Sequence, residues 1–236
     1  MSNKVEMQYI AHNAAAKFIQ SDALYTLLLG DHGAGKTTAG LMRILARHKD
    51  LAFQTWAVVR NTRKQLGYTV GRTIEHWCPE PYTVWKNGTK DNPISCIIYK
   101  GSTPVVHFDF FGVEYFDEEI DDFFERPSMY SGVWFDDVDR WPFDTQHFIQ
   151  ARTLIRASPN PSIQITSNFL PAEHWMSQMW QLYEELPLMM ISTEKEQAQT
   201  RVRQQSEIFR IPDEENAVDF ISPGYLSRCR DMKELL

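Results

Sequence analysis

Apolar residues along the chain fall into short continuous runs that alternate with longer stretches at helical spacing. Leu24 to Leu29 (L-Y-T-L-L-L) has the length of a buried strand. Behind it Ala39, Leu41, Met42, Ile44, Leu45 and Ala46 recur at helical intervals. Arg43, Arg47, His48 and Lys49 sit toward the end of that helix, where its dipole favours cations. Gln54 to Arg60 reads as a second buried strand, and Thr62 to Trp77 as a helix stopped by Cys78-Pro79-Glu80-Pro81. Ser131 to Phe135 is a third apolar strand, followed by a helix over about residues 143–156. Pro161 introduces a fourth strand, Ser162 to Thr166. Residues 8–20 predict a helix ahead of the first strand, and Ala172 to Tyr183 another, whose Met and Trp stripe is of the kind that fills cores. Leu188 to Ile191 is a further strand candidate; the polar tail from Glu194 holds a short strand near Ile208 and a final helix after Pro223. Strands alternating with helices predict an α/β fold with a mostly parallel central sheet flanked by helices.

Two segments break this alternation. Between residues 82 and 111, three strand-like runs (Tyr82–Lys86, Ser95–Lys100, Pro104–Phe111) are joined by Asn87-Gly88 and Lys100-Gly101 turns, which predicts a small antiparallel insertion. Residues 114–125 are rich in Asp and Glu, but Phe116, Ile120 and Phe123 fall at helical intervals. An amphipathic helix with a solvated acidic face fits better than a metal cage. The expected organisation is a core over residues 1–193 and a small C-terminal lid or linker subdomain over 194–236.

The chemistry begins in the loop after the first strand. Gly30, Asp31, His32, Gly33, Ala34, Gly35, Lys36, Thr37 and Thr38 fit the pattern Gly, four residues, Gly-Lys-Thr, the phosphate-binding P-loop. Its glycines let the backbone turn tightly and bring N–H groups to phosphate oxygens. Lys36 places a compact charge on the β/γ-phosphates and the Thr37 hydroxyl ligates Mg²⁺, so the expected cofactors are ATP and Mg²⁺. Val133 to Asp137 supplies the acidic partner at a strand's C-terminal edge, where sheet ligands bind. Asp136 is expected to hold Mg²⁺ through water, and Asp137 to orient or deprotonate the attacking water. The roles could be shifted by one, Asp139 is a lesser candidate, and two Asp residues also suit a helix cap. Thr166-Ser167-Asn168 ends another buried strand with small hydrogen-bonding groups that can contact a γ-phosphate, or simply turn the chain.

Composition narrows the classes. The 236 residues can bury one sizeable core, and 43% hydrophobic with 13% aromatic residues excludes a disordered chain. A net charge of −7 argues against a basic surface gripping nucleic acid single-handed, though not against a DNA-handling ring with a few central cations. Three cysteines without paired spacing suit a reducing compartment, and His76 with Cys78 are too few for zinc. No window is membrane-length and no signal-peptide pattern opens the chain, so a soluble cytosolic protein is expected.

Taken in order, these elements resemble the ATPase domain of the large terminase subunit, the DNA-packaging motor of tailed bacteriophages, over nearly the whole chain. Phe18 to Tyr25, with Gln20, looks like the family's nucleotide-binding segment before the P-loop, and Val58-Val59-Arg60-Asn61-Thr62 like its second strand. Thr166-Ser167-Asn168 matches its coupling motif, followed by the His174-Trp175 pair, and Arg152 falls where an arginine is common. Arg126, eleven residues before Asp137, falls where the family tends to place an arginine that reaches into the neighbouring subunit's site. Pro127 should hold it extended in a loop, although pairing with Glu125 or the acidic helix is the structural alternative. The resemblance implies a P-loop NTPase of ASCE type, an ATPase assembled as a homo-oligomeric ring, a pentamer, at the capsid portal in the host cytoplasm. It implies double-stranded DNA, portal protein and the small terminase subunit as partners. Two features depart from the family. Asp137 stands where the family has a catalytic glutamate, and no nuclease domain follows in this chain, either because it is an excised motor domain or because the nuclease is a separate polypeptide. Competing expectations are another P-loop translocase or helicase, or a nucleotide-binding assembly subunit with impaired hydrolysis. A small-molecule kinase is weaker, since no lid or acceptor site is evident.

Overall fold

The computed structural model describes residues 9–11, 13–47, 53–86, 88–89, 93–112, 130–137, 148, 151–155, 158–180 and 205–211. Helix α1 (Asn13–Gln20) precedes strand β1 (Tyr25–Leu29), and helix α2 (Lys36–Arg47) follows it across the glycine-rich loop. Strand β2 (Gln54–Arg60) leads into α3 (Arg63–Leu66), a π-helical turn (Gly67–Gly71) and α4 (Arg72–Trp77), which form one helical run. The Thr62 hydroxyl caps α3 by accepting from the Gln65 amide at 3.0 Å. Strands β3 (Thr83–Lys86), β4 (Ser95–Lys100), β5 (Thr103–Gly112) and β6 (Gly132–Asp136) follow. A 3₁₀ turn (Ala151–Ile155), β7 (Ser162–Ser167), α5 (Trp175–Trp180) and β8 (Ser206–Arg210) complete the described elements.

All the described strands belong to one eight-stranded sheet in the order β3-β4-β5-β2-β6-β7-β1-β8. From β5 to β8 every neighbouring pair is parallel; β3–β4 and β4–β5 are antiparallel. This is the expected mostly parallel α/β sheet. The stretch over 82–111 is antiparallel as expected but not detached, because β5 pairs in parallel with β2 along its length and extends the main sheet. At the other edge β8 lies inside the segment expected to form a C-terminal subdomain, yet it pairs with β1. Residues 206–210 therefore belong to the core sheet, which moves the expected 193/194 boundary for that part of the chain. The strand expected at 188–191, the acidic helix over 114–125 and the final helix after Pro223 lie outside the described residues.

Strands β1, β6 and β7 are buried at every position, as central strands with both faces covered should be. Alternate residues feed two layers. Leu27, Leu29, Val133, Phe135, Ile163 and Ile165 pack with Phe148, Leu154, Met176, Met179 and Trp180, which puts the Met and Trp stripe of α5 in the core. Trp56, Val58 and Trp134 face the opposite layer, built from Leu41 and Ile44 of α2 and Leu66, Val70 and Ile74 of the α3–α4 run. Helix α2 lies close on the sheet: a Cβ on Gly40 would come within 2.6 Å of the Trp134 ring. Cys96 is buried in this layer and Cys78 packs against it; burial raises both thiols, Cys78 to about 11, consistent with packing roles.

Arg43, placed by the sequence near the C-terminal end of α2, is fully buried under that helix. Its guanidinium donates to Phe18 O (3.0 Å), Ser21 O (2.9 Å), Ser162 Oγ (2.8 Å) and Gln164 Oε1 (3.3 Å), and it lies over the Phe18 ring. Desolvation pulls its pKa down to about 9, so it stays cationic at neutral pH.

Candidate nucleotide site at the C-terminal edge of the sheet

Parallel pairing brings the C-terminal ends of β2, β6, β7 and β1 side by side. Register then sets the site. Leu28 and Asp136 both pair with Thr166, and Val59 pairs with Phe135, so Arg60 ends β2 beside Asp136. Sequence reasoning placed the P-loop after β1, the acidic pair after β6 and the T-S-N motif after β7, and the fold gathers all three at this edge.

The loop has the conformation its glycines permit. Gly33 (φ 84°) and Gly35 (φ 73°) lie in the left-handed region, where a side chain would be strained. Such turns direct successive backbone N–H groups into one anion-binding concavity, and α2 begins at Lys36 with its positive dipole end facing that concavity. Lys36 Nζ donates to Gly30 O (2.8 Å), Asp31 O (2.7 Å) and Asn168 Oδ1 (3.1 Å), so the ammonium spans the loop mouth. The Gly30 amide donates to Ser167 O at 3.2 Å, which fastens the loop to β7. Ala34 is buried, Asp31 and Thr38 are partly exposed, and His32 is exposed.

On the acidic side, Asp136 is 2% exposed, and its Oδ1 accepts from Thr37 Oγ1 (3.2 Å) and Thr166 Oγ1 (2.7 Å). Thr166 itself accepts from the Trp134 indole N–H at 2.9 Å, so a buried chain of hydrogen bonds aims the carboxylate. Asp137 adopts φ 60°, a conformation Asp tolerates better than most residues. Its amide donates to Thr166 O (2.7 Å) and its Oδ1 accepts from Asn168 Nδ2 (3.1 Å). Asn168 therefore bridges Lys36 and Asp137.

Sequence reasoning missed one member. Arg60 forks across the pair, one nitrogen on Asp136 Oδ2 and the other on Asp137 Oδ2, and it also donates to Thr69 Oγ1 at 2.9 Å. A fixed guanidinium fork suits two carboxylates held side by side. The available signal was its place as the last residue of the second strand, but strand order was needed to put β2 next to β6.

Other expected members lie elsewhere. Gln20 ends α1, exposed, and no side-chain hydrogen bond joins it to the loop among the described residues. His174 Nδ1 accepts from the Met176 amide at 3.2 Å, a local contact at the start of α5, and Trp175 lies against Phe148. Arg126 and Asp139, and the side chain of Arg152, fall outside the described residues.

The donor set fits the expected ligands. A turn of backbone N–H groups with one lysine suits a polyphosphate, and a carboxylate meeting a threonine hydroxyl offers the hard oxygens Mg²⁺ takes, with water and phosphate completing the shell. Lys36 and Arg60 balance Asp136 and Asp137, so the site carries no large net charge of its own.

The fold has close structural counterparts. The large terminase of the thermophilic bacteriophage D6E in complex with ADP superposes with a TM-score of 0.59 at 15% identity, covering 93% of this chain and 49% of that one. The N-terminal domain of the DNA packaging ATPase from bacteriophage phi29 gives 0.53 at 14% identity, covering 86% of this chain and 96% of that domain. This chain has the fold of a large terminase ATPase domain. The Thermus phage P74-26 large terminase ATPase domain gives 0.50 at 13% identity, covering 86% of this chain and 81% of that one. The chain spans about half the length of the D6E terminase. At the sequence level no family model and no curated protein matches it. No helix among the described residues is long and apolar enough to cross a membrane.

Proposed function

We infer that this chain hydrolyses ATP as the motor of viral DNA packaging, coupling hydrolysis to translocation of double-stranded DNA into a procapsid. The observation that carries the reading is the convergence of Lys36, Thr37, Asp136, Asp137 and Asn168 at one sheet edge, in a fold shared with ADP-bound and ATP-γ-S-bound terminase structures.

Bound ATP with Mg²⁺ supplies the γ-phosphoryl group and the cation that shields its charge. The loop from Gly30 to Thr38 wraps the phosphates with backbone N–H groups, and Lys36 turns its ammonium from the loop carbonyls toward them. Thr37, and Asp136 through water, would hold the Mg²⁺. Asp137 orients a water and accepts its proton, with Arg60 and Asn168 fixing the carboxylate. An aspartate is one methylene shorter than glutamate; the left-handed backbone at Asp137 and this two-sided grip give it a defined aim in place of reach. Asn168, touching both Lys36 and Asp137, is placed to report on the γ-phosphate, and Asn168→Ala should impair DNA movement more than nucleotide affinity.

In this reading the active form is a homo-oligomeric ring, a pentamer, working in the host cytoplasm with portal protein and the small terminase subunit. Residues 1–193 with β8 form its core, and the remainder of 194–236 forms a lid or linker. Arg126 completes the neighbouring subunit's site, and an inserted arginine of this kind accelerates hydrolysis by roughly 10³–10⁵-fold. Arg126→Ala subunits should bind ATP but hydrolyse it poorly, and mixing them with Lys36→Ala subunits should restore some activity. Mixed rings without recovery would remove the trans role. The deciding experiment is ATP turnover with and without double-stranded DNA and portal protein. Stimulation by duplex supports the packaging motor, whereas stimulation by single strands alone favours a helicase. Nucleotide binding without turnover in the assembled ring favours an assembly subunit.

A further inference from the structure

We propose that the outward face of the α3–α4 run is a contact surface for the phosphate backbone of duplex nucleic acid. Lys64, Tyr68, Arg72 and His76 recur every fourth residue along this run and all are exposed. On the opposite side Leu66, Val70 and Ile74 are buried in the core, so the run has one anchored face and one free face. The exposed side chains of the run, Gln65 included, contain no acid, and Glu75 is partly buried. In a chain of net charge −7, a face carrying only cationic and neutral groups is a departure that calls for an anionic partner.

The geometry selects backbone contact over base stacking. Lys64 Nζ lies 6.0 Å and Arg72 Cζ 5.2 Å from the Tyr68 ring centroid, so the ring, 49% exposed, is engaged by two cations. It therefore organises charges and offers its hydroxyl to a phosphate; a single-strand platform would need a row of open aromatic faces. Twelve residues of helix span roughly 18 Å, about five base pairs of duplex at 3.4 Å each. The face also adjoins the nucleotide site, since Thr69 in the π-helical turn accepts from Arg60, which holds the acidic pair. The proposal rests on the DNA-motor reading and names where that motor meets its track.

The test is fluorescence anisotropy of the full chain on a non-specific DNA duplex across a salt series, with binding of a fluorescent ADP as the control. Lys64→Ala/Arg72→Ala should weaken duplex binding about tenfold or more and flatten the slope of log K against log salt by about 1.8, the loss of two phosphate contacts. Nucleotide binding should be unchanged, because neither residue touches the site. Wild-type binding with an unaltered slope in the double variant overturns this face and leaves the motor reading standing. A variant that changes oligomeric state while keeping duplex affinity overturns it in favour of a contact between copies of this chain. A wild-type chain that binds no duplex at low salt overturns the motor reading and this surface with it.

Discussion

Two arginines on the same side of the sheet, at opposite ends of β7, show how differently one side chain can be used. Arg43 is sealed beneath α2 and donates only to neutral oxygens, two of them on Ser162 and Gln164 at the start of β7. Arg60 lies near the other end of β7, partly open, and faces two carboxylates. Neutral acceptors cannot be exchanged for a ligand, so the Arg43 end is fixed and joins α1, α2 and β7 into one unit. Carboxylates at an open rim can accept a metal ion or a water in place of part of the guanidinium contact. The contrast separates the part of the sheet that sets stability from the part that sets chemistry.

Arg43→Met tests the fixed end and should have the largest effect. It leaves several buried acceptors without a donor and should lower unfolding free energy by about 3–5 kcal/mol in urea titration. A loss below about 1 kcal/mol would mean the Arg43 network carries little of the fold.

Arg60→Ala should behave in the opposite way. Turnover should fall about 100-fold, equivalent to about 2.7 kcal/mol in the barrier, because Asp137 loses half its grip. Removing a cation from beside Asp136 should also lower the Mg²⁺ concentration needed for half-maximal nucleotide binding, since the metal no longer competes with a positive charge. Stability should fall less than in Arg43→Met, as Asp136 keeps its Thr37 and Thr166 donors. An equal stability loss with unchanged metal dependence would erase the distinction between the two ends.

Gly40→Ala lies between them. The added methyl meets the Trp134 ring, whose indole N–H supports Thr166 and through it Asp136. Stability should fall by about 1–2 kcal/mol, within the range for overpacking, and turnover should fall with it. A variant that loses stability but keeps full turnover would show that the Trp134–Thr166–Asp136 chain does not aim the carboxylate.

The same contrast explains what was legible in the sequence. The P-loop, the acidic pair and the T-S-N triplet are local signatures, each at the end of a short strand-like run, so both strand and chemistry could be read together. Arg60 could not, because its meaning depends on β2 lying next to β6, and hydrophobic periodicity carries no information about strand order. Pairing partners hid the roles of β5 and β8 in the same way. Arg43 did leave a trace. Ala39, Gly40, Leu41, Arg43, Ile44 and Arg47 are the buried residues of α2, so the helical period puts inside two cations for which the dipole argument gave no burial. The π-helical turn is bracketed by Gly67 and Gly71 but has no apolar signature of its own.

ATP binding and ATP turnover measured side by side on Asp137→Asn test the central claim, that this edge is a hydrolytic site served by the acidic pair. Affinity should stay near wild type while turnover falls by at least about 10²-fold, the usual contribution of a positioned base, and Asp137→Glu should retain activity. Undiminished turnover in the asparagine variant would contradict that claim and move the catalytic role to another carboxylate, with Asp139 the first to examine.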